Sequence, residues 1–305
     1  MSALADFLDA SVRSATPLLL AALGETVSER SGVINVGIEG AIIVGCLTGL
    51  AAATALGPAA ALAAAGVAGV LMALVFAVVA IGLAADQIIT GTAITMLGLG
   101  LTGTAYRVLY GDSGAALSAP TLAPIGIPIL QDTPIVGSAL FHQPLPTYLA
   151  ALLVPAVWWW LYRTRSGLSL RATGENPEAA RASGVSPRRV QTLAVLFGGL
   201  CGGLAGGTLV LAQVGTFAEG MSAGRGFVAI AIVALGRWNP VGAAMAALLF
   251  GMASALQFLF QALDLKLPYQ LFLALPYVLT LVALALARGR YTAPAALGVR
   301  STAAE

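Results

Sequence analysis

Apolar residues in this chain come in long uninterrupted runs rather than in strand-like alternation. No charge occurs from Gly40 to Ala85, and further charge-free runs cover 87–106, 133–162, 190–218, 238–263 and 267–287. A helix crosses about 30 Å of hydrocarbon with about 20 mostly apolar residues. The first run is long enough for two crossings, and Gly57-Pro58 supplies the break, since glycine ends helices and proline starts them. Two shorter runs, 14–24 and 226–236, need neighbouring residues or a partly inserted geometry. The pattern predicts an all-α, polytopic membrane protein of about nine transmembrane helices, within a range of about eight to ten. The first is expected at roughly Leu8 to Leu23, as a retained span. Residues 1–6 carry no lysine or arginine, and no small-residue cleavage site follows, so a cleavable signal peptide is not expected.

Composition narrows the class further. The 305 residues are 59% hydrophobic and only 9% charged, against about 25% charged in an average soluble domain. Mean hydropathy is +0.92. Such a chain cannot cover a water-facing surface, so its solvent is lipid and the whole of 1–305 reads as one transmembrane domain. Net charge is +2, Lys266 is the single lysine, and no basic stripe suits nucleic acid. Cys46 and Cys201 lie in apolar runs and His142 is alone, so neither a metal site nor a bound cofactor is expected.

Charge asymmetry sets the orientation. The loop 163–189 holds six arginines, whereas 111–146 holds none, only Asp112, Asp132 and six prolines. The positive-inside rule makes the first cytoplasmic and the second extracytoplasmic. Arg288, Arg290 and Arg300 follow the last run and make the C-terminus cytoplasmic; threading the spans then puts the N-terminus outside. Trp158, Trp159, Trp160 and Tyr162 fall where an aromatic belt meets the cytoplasmic headgroups.

Several motifs compete for attention. Gly98 to Gly103 spells G-x-G-x-x-G, but inside an apolar run it lacks the strand that a dinucleotide site requires. Close helix packing explains it better, as it does Gly198, Gly199, Gly202, Gly203, Gly206 and Gly207. The only lysine is not preceded by glycine, so there is no P-loop, and any ATP must be hydrolysed by another subunit. Glu39, between Gly37 and Gly40, is an acid at the edge of a membrane segment: either a functional group or a brace for a broken helix. Asp86 before Gln87 is read as a helix cap. The stretch from Gln213 through Phe217 to Gly226 is too polar and glycine-rich to span lipid as a helix. Broken helices of this kind expose backbone to substrate in transporters. Asn35, Glu39, Gln87, Gln213 and Phe217 are the candidate residues of a translocation path.

The segment Gly174-Glu175-Asn176-Pro177-Glu178-Ala179-Ala180-Arg181-Ala182-Ser183-Gly184 is the most informative. Asn176 is a favoured N-cap, Pro177 fits the first helical position, Glu178 complements the dipole, and Gly184 supplies a left-handed stop. It predicts a two-turn helix that either docks into a partner's groove or merely joins two spans.

Together, Gly24 to Gly40, Gly174 to Gly184 and Glu219 to Pro240 resemble the permease subunit of bacterial ABC importers. The match is to the nucleoside and simple-sugar group, related to the ribose and branched-chain amino acid permeases, and extends over about residues 15–287. The spacing Glu178-Ala179-Ala180…Gly184 resembles the coupling element through which such permeases touch their ATPase. The resemblance therefore implies that Gly174, Glu175, Asn176, Pro177, Glu178, Ala179, Ala180 and Gly184 form that contact. It also implies a second homologous permease, an ABC ATPase, an extracytoplasmic substrate-binding lipoprotein and a small-molecule substrate, in a bacterial cytoplasmic membrane. Nucleosides are the expected cargo, simple sugars the alternative. A self-sufficient secondary transporter using Glu39 and Asp86 as ion carriers is the remaining class.

Overall fold

The computed structural model describes residues 2–111, 120–128, 136–262, 278 and 293–299. Helix α1 (Ser2–Arg30) is one continuous rod, longer at both ends than the 8–23 span expected. It tolerates Pro17 inside it and stops at Gly32, whose φ of +94° suits glycine. Next come α2 (Ile38–Leu56), α3 (Pro58–Phe76, extended by a π-helical turn Ala77–Gly82) and α4 (Gln87–Tyr110). The predicted break between α2 and α3 is in place, with Gly57 at φ +79° and Pro58 opening α3. Asp86 caps α4 as expected, accepting from the backbone N–H groups of Ile88 and Ile89.

Beyond α4, α5 (Val136–Phe141) is flanked by a two-residue antiparallel pairing of β1 (Ile125–Gly126) with β2 (His142–Gln143). Then follow α6 (Leu145–Arg163), α7 (Arg165–Glu175), α8 (Pro177–Ala182) and α9 (Pro187–Thr208, extended by a π turn Leu209–Val214). The short α10 (Arg225–Leu235) and α11 (Pro240–Ala262) complete the described helices.

Six helical stretches among the described residues are long and apolar enough to cross a membrane: 38–56, 58–82, 87–110, 145–163, 187–214 and 240–257. Large apolar side chains stand exposed along them, Leu71 and Val78 on α3, Met96 and Val108 on α4, Leu152 and Trp159 on α6. Such a surface belongs in lipid, and the protein is a multi-pass α-helical membrane protein. The expected total of about nine is not reached within these residues, because α1 carries charges at both ends and α10 is short. The span expected at 267–287 lies outside them, as do Asp112, Asp132, Lys266, Arg288, Arg290 and Arg300.

Helix α9 is the axis of the bundle, and its glycines explain why. Gly198 lies against Gly24 and Ser28 of α1, Gly202 and Gly206 against α2, and Gly199, Gly203 and Gly207 against α3. A Cβ on Gly203 would fall on the Ala65 carbonyl oxygen, and one on Gly206 on that of Ile42. Three helices thus approach α9 backbone to backbone, the close packing that small residues permit in lipid.

The described parts of the two long loops meet opposite ends of α1. In the 111–146 connection, the Gln143 amide donates to Asp9 Oδ1 at 2.6 Å. In the 163–189 connection, Gly174 packs on the Arg30 carbonyl so closely that a Cβ there would overlap it.

Candidate functional site

Two of the chain's helices begin not at an end of the bundle but in its middle. Residues 31–37 leave the end of α1, turn back without helical structure, and start α2 at Ile38. There Gly40 touches Ile94, Thr95 and Gly98, halfway along α4, and Ile38 touches Gly202, halfway along α9. The second case is α10. The chain leaves the π turn at Gly215 (φ +74°), runs through 215–224 without helix, and starts α10 at Arg225. This is the break expected between Gln213 and Gly226. It is built on consecutive left-handed residues, Ala223 at φ +48° and Gly224 at φ +79°.

Glu39 joins the two starts. Its Oε1 accepts from the Gly224 N–H at 2.9 Å and its Oε2 from the Gly226 N–H at 2.6 Å. Neither helix has a side-chain N-cap of its own. One carboxylate therefore satisfies two free N–H groups of α10 and stands in the first turn of α2, at the positive ends of both dipoles. Only 4% of Glu39 is exposed.

The 215–224 segment is held from the other side by a two-pronged ion pair. Arg107 Nε and Nη2 donate to Glu219 Oε1 and Oε2 at 2.9 and 3.0 Å. The guanidinium hydrogen bond keeps the Glu219 carboxyl below the usual carboxylate range. Phe217 is buried and packs its ring on Tyr106, with centroids 5.1 Å apart.

Beside this junction, in the half of the bundle away from α8, lies an open cavity of about 590 Å³. Its walls include Arg13 and Ser14 of α1, Gln213, Arg225 at the start of α10, and Ser254 and Gln257 of α11. Pockets of about 300–1,000 Å³ hold ligands of drug size. Of the five residues expected along a path, Gln213 lines this cavity, its amide donating to the Arg13 carbonyl at 2.6 Å. Glu39 and Phe217 fix segments that border it. Asn35 and Gln87 sit elsewhere, at the 31–37 return. The Asn35 N–H donates to Glu25 Oε1 at 2.8 Å, and Gln87 Oε1 accepts from the Ile34 N–H at 2.9 Å.

Sequence reasoning passed over the acids that anchor this return. Glu25 and Glu29 are both buried, one turn apart on α1. Glu29 Oε2 accepts from the Trp238 indole N–H, and Arg30 Nε donates to the Trp238 carbonyl at 2.7 Å. Trp238 itself is left-handed at φ +53°. The signal was present as two acids at i, i+4 followed by Arg30, a pattern that also fits an exposed helix face.

The predicted loop helix is α8. Asn176 Oδ1 accepts from the Ala179 N–H at 3.0 Å, Pro177 is the first residue, and Gly184 ends the turn at φ +84°. Glu178, Ala179 and Ala182 face outward, but Ala180 is 4% exposed and packs into the protein. Gly174 is buried too, and the α7 that carries it was not foreseen, although Thr164 caps it through Gly167 N–H.

Helices broken at mid-bundle and joined at their N-termini, within a multi-pass array, define a membrane transport protein. The chain belongs to the family described as branched-chain amino acid transport system, permease component, whose model matches residues 7–284. It is 40% identical over 272 residues to the putative glucose ABC transporter permease protein TsgC13 of Haloferax volcanii, covering 88% of this chain and 81% of that one. It is 37% identical over 295 residues to the guanosine ABC transporter permease protein NupQ of Bacillus subtilis, covering 93% and 92%. The nucleoside ABC transporter permease protein NupC of Lactococcus lactis is 32% identical over 294 residues, again covering 93% and 92%. No solved structure matches.

Proposed function

We propose that this chain is the membrane permease of an ATP-driven ABC importer for nucleosides. An external binding lipoprotein delivers the cargo, a second homologous permease completes the pore, and a separate ATPase docks on α8. The observation that carries this reading is α8 itself. A helix of six residues cannot hold its shape alone, yet this one is capped at both ends and pinned inward by Ala180, leaving Glu178, Ala179 and Ala182 outward. That is a capped, inward-anchored knob at one end of the bundle, with Ala179 and Ala182 exposed beside Glu178 and Arg181, suited to a groove on a partner. The α8 end is then cytoplasmic, in agreement with its arginines, and the cavity at Gln213 opens toward the outside.

The cavity's lining supports a polar cargo, with the Arg225 guanidinium turned to the Met221 and Ser222 carbonyls. Gln213, Ser14, Ser254 and Gln257 offer amides and hydroxyls, while Arg13 is paired with Asp9 at 2.9 Å. Nucleosides are favoured over sugars because two relatives covered over 92% of their own length carry guanosine or nucleoside in their names. The relative named for glucose keeps simple sugars as the second reading.

Cells producing the complete system test both readings. Uptake of labelled guanosine that depends on ATP and survives collapse of the proton gradient is expected, with the ATPase co-purifying with this chain. Uptake of glucose instead would favour the sugar reading. Uptake abolished by loss of the gradient, with no ATPase attached, would overturn both.

A further inference from the structure

Residues 293–299 lie at the α8 end of the bundle, across the end of α7, the 31–37 return and the start of α4. The Ala296 N–H donates to the Gly174 carbonyl at 2.9 Å, and the Gly298 N–H donates to the Gly32 carbonyl at 3.1 Å. The Gln87 amide donates to the Val299 carbonyl at 3.1 Å, and the Ala295 N–H donates to Glu175 Oε2 at 3.3 Å. The segment is internally fixed by turns, Leu297 N–H to the Pro294 carbonyl and Val299 N–H to the Ala296 carbonyl. Pro294 is buried, and Gly298, at φ +75°, lies 3.2 Å from Ile34 measured at the position a Cβ would take.

We propose that residues 293–299 are a strap that transmits movement from the docking helix to the broken-helix junction; this rests on the reading of α8 as the ATPase contact. On one side the strap grips the end of α7, directly before α8. On the other it grips Gly32 and, through Gln87, the Ile34 N–H. Residues 31–37 lead straight into Glu39, whose carboxylate holds the start of α10 beside the cavity. A push on α8 therefore meets backbone hydrogen bonds from Gly174 through the strap to Gly32, and the 31–37 chain and the Glu39 carboxylate carry it on to the starts of α2 and α10. Backbone bonds between tightly packed glycines have little slack. A Cβ on Gly174 would overlap the Arg30 carbonyl, and one on Gly32 would approach the Ala296 oxygen to 3.3 Å. The side-chain route from Arg30 to Trp238 and Glu29 runs beside it, and Gly174 also packs directly on the Arg30 carbonyl, so the strap adds hydrogen bonds to a contact that α7 already makes with the 31–37 return.

The test uses the whole transport system with three variants of this chain. Ala296→Pro removes the hydrogen that bonds Gly174. Gly298→Val forces a side chain into a left-handed position against Ile34. The third variant ends the chain at residue 292. The readouts are ATPase co-purification, basal ATP hydrolysis, and uptake of guanosine, or of glucose where the wild type takes that up. Expected is an ATPase that still binds and hydrolyses at the wild-type basal rate, with uptake reduced by about tenfold or more, the size of a typical coupling between sites. Wild-type uptake in all three variants would overturn the strap. So would loss of ATPase binding in step with uptake, since the tail would then be part of the dock. Failure of the ATPase to bind the wild-type chain would instead count against the α8 reading itself.

Discussion

The carboxylate of Glu39 receives the backbone N–H groups of Gly224 and Gly226, partners 185 and 187 positions further along the chain. A single side chain in the first turn of α2 thereby caps the start of α10. The alternatives open from sequence were an ion carrier or a brace, and both oxygens are committed to bracing bonds. Glu39→Gln keeps one acceptor and turns an amide N–H toward a backbone N–H. A buried donor left without a partner costs about 1–3 kcal/mol, so the melting point should fall while slow, ATP-dependent uptake persists. Glu39→Ala should abolish uptake. Normal uptake in the Ala variant would show that the junction does not need its carboxylate.

Docking on α8 can be probed without disturbing the fold. Ala179→Arg and Ala182→Arg place a bulky charge on the outward face and should detach the ATPase while leaving thermal stability within about 0.5 kcal/mol, as for most surface changes. Ala180→Arg is the contrasting variant. Its side chain is buried, so an unpaired charge there should destabilise the permease itself. Equal loss of stability in all three, measured by melting in detergent, would contradict the outward face.

The glycines divide sharply by what surrounds them. Gly203→Ala must displace the backbone of Ala65, and overpacking of this kind costs about 1–3 kcal/mol or more. Gly100→Ala meets nothing within 4 Å on an exposed part of α4 and should be neutral or stabilising by up to about 1 kcal/mol. Melting of the two single variants checks both signs. A tolerated Gly203→Ala would mean that α3 and α9 are not held at backbone contact.

Glu219 gives the 215–224 segment a pH dependence. Its carboxyl is held below the ordinary range by Arg107, so the stabilisation is present above the carboxylate range and is lost as pH falls through the lowered value. Protection factors of the 215–224 amides, with the pH dependence of intrinsic exchange divided out, should therefore be higher at neutral pH and fall under acid conditions. Glu219→Gln should show the lower protection at neutral pH already. The pair is exposed, so a small effect that shrinks in high salt is expected.

Local rules carried a large part of this from sequence to structure. The Gly57-Pro58 break, the Asp86 cap, the Asn176 cap and the Gly184 stop each depend on a residue and its immediate neighbours. The non-helical 215–224 stretch was legible for the same reason. What escaped is what depends on distant partners. Nothing near Glu39 names Gly224, nothing near Ala180 says that it turns inward, and Gln87 carries no mark of its bonds to Ile34 and Val299. Glu25 and Glu29 carry no local mark of the Trp238 indole and the 31–37 return that close over them. Periodicity identifies a buried face only when the polar residues lie outside it, and here the acids are inside.

The cavity yields the sharpest test of where cargo passes. Ser254 lines it from α11 and is only half-buried, whereas Gly251, one turn earlier, presses on the Ser11 carbonyl of α1. Ser254→Phe therefore fills open space without prising α11 from α1, and should lower uptake while melting is unchanged. Gln257→Leu keeps the volume and removes an amide. Where a site recognises a polar cargo through hydrogen bonds, losing one weakens selection by about 1–3 kcal/mol, or roughly tenfold to a hundredfold. The expected pattern is a raised KM for guanosine in Gln257→Leu and a reduced maximal rate in Ser254→Phe. A Gly251→Leu variant, by contrast, should lose stability first. If both cavity variants transport as the wild type does, the cargo does not pass between α1, α10 and α11, and the path must lie on another face of the permease.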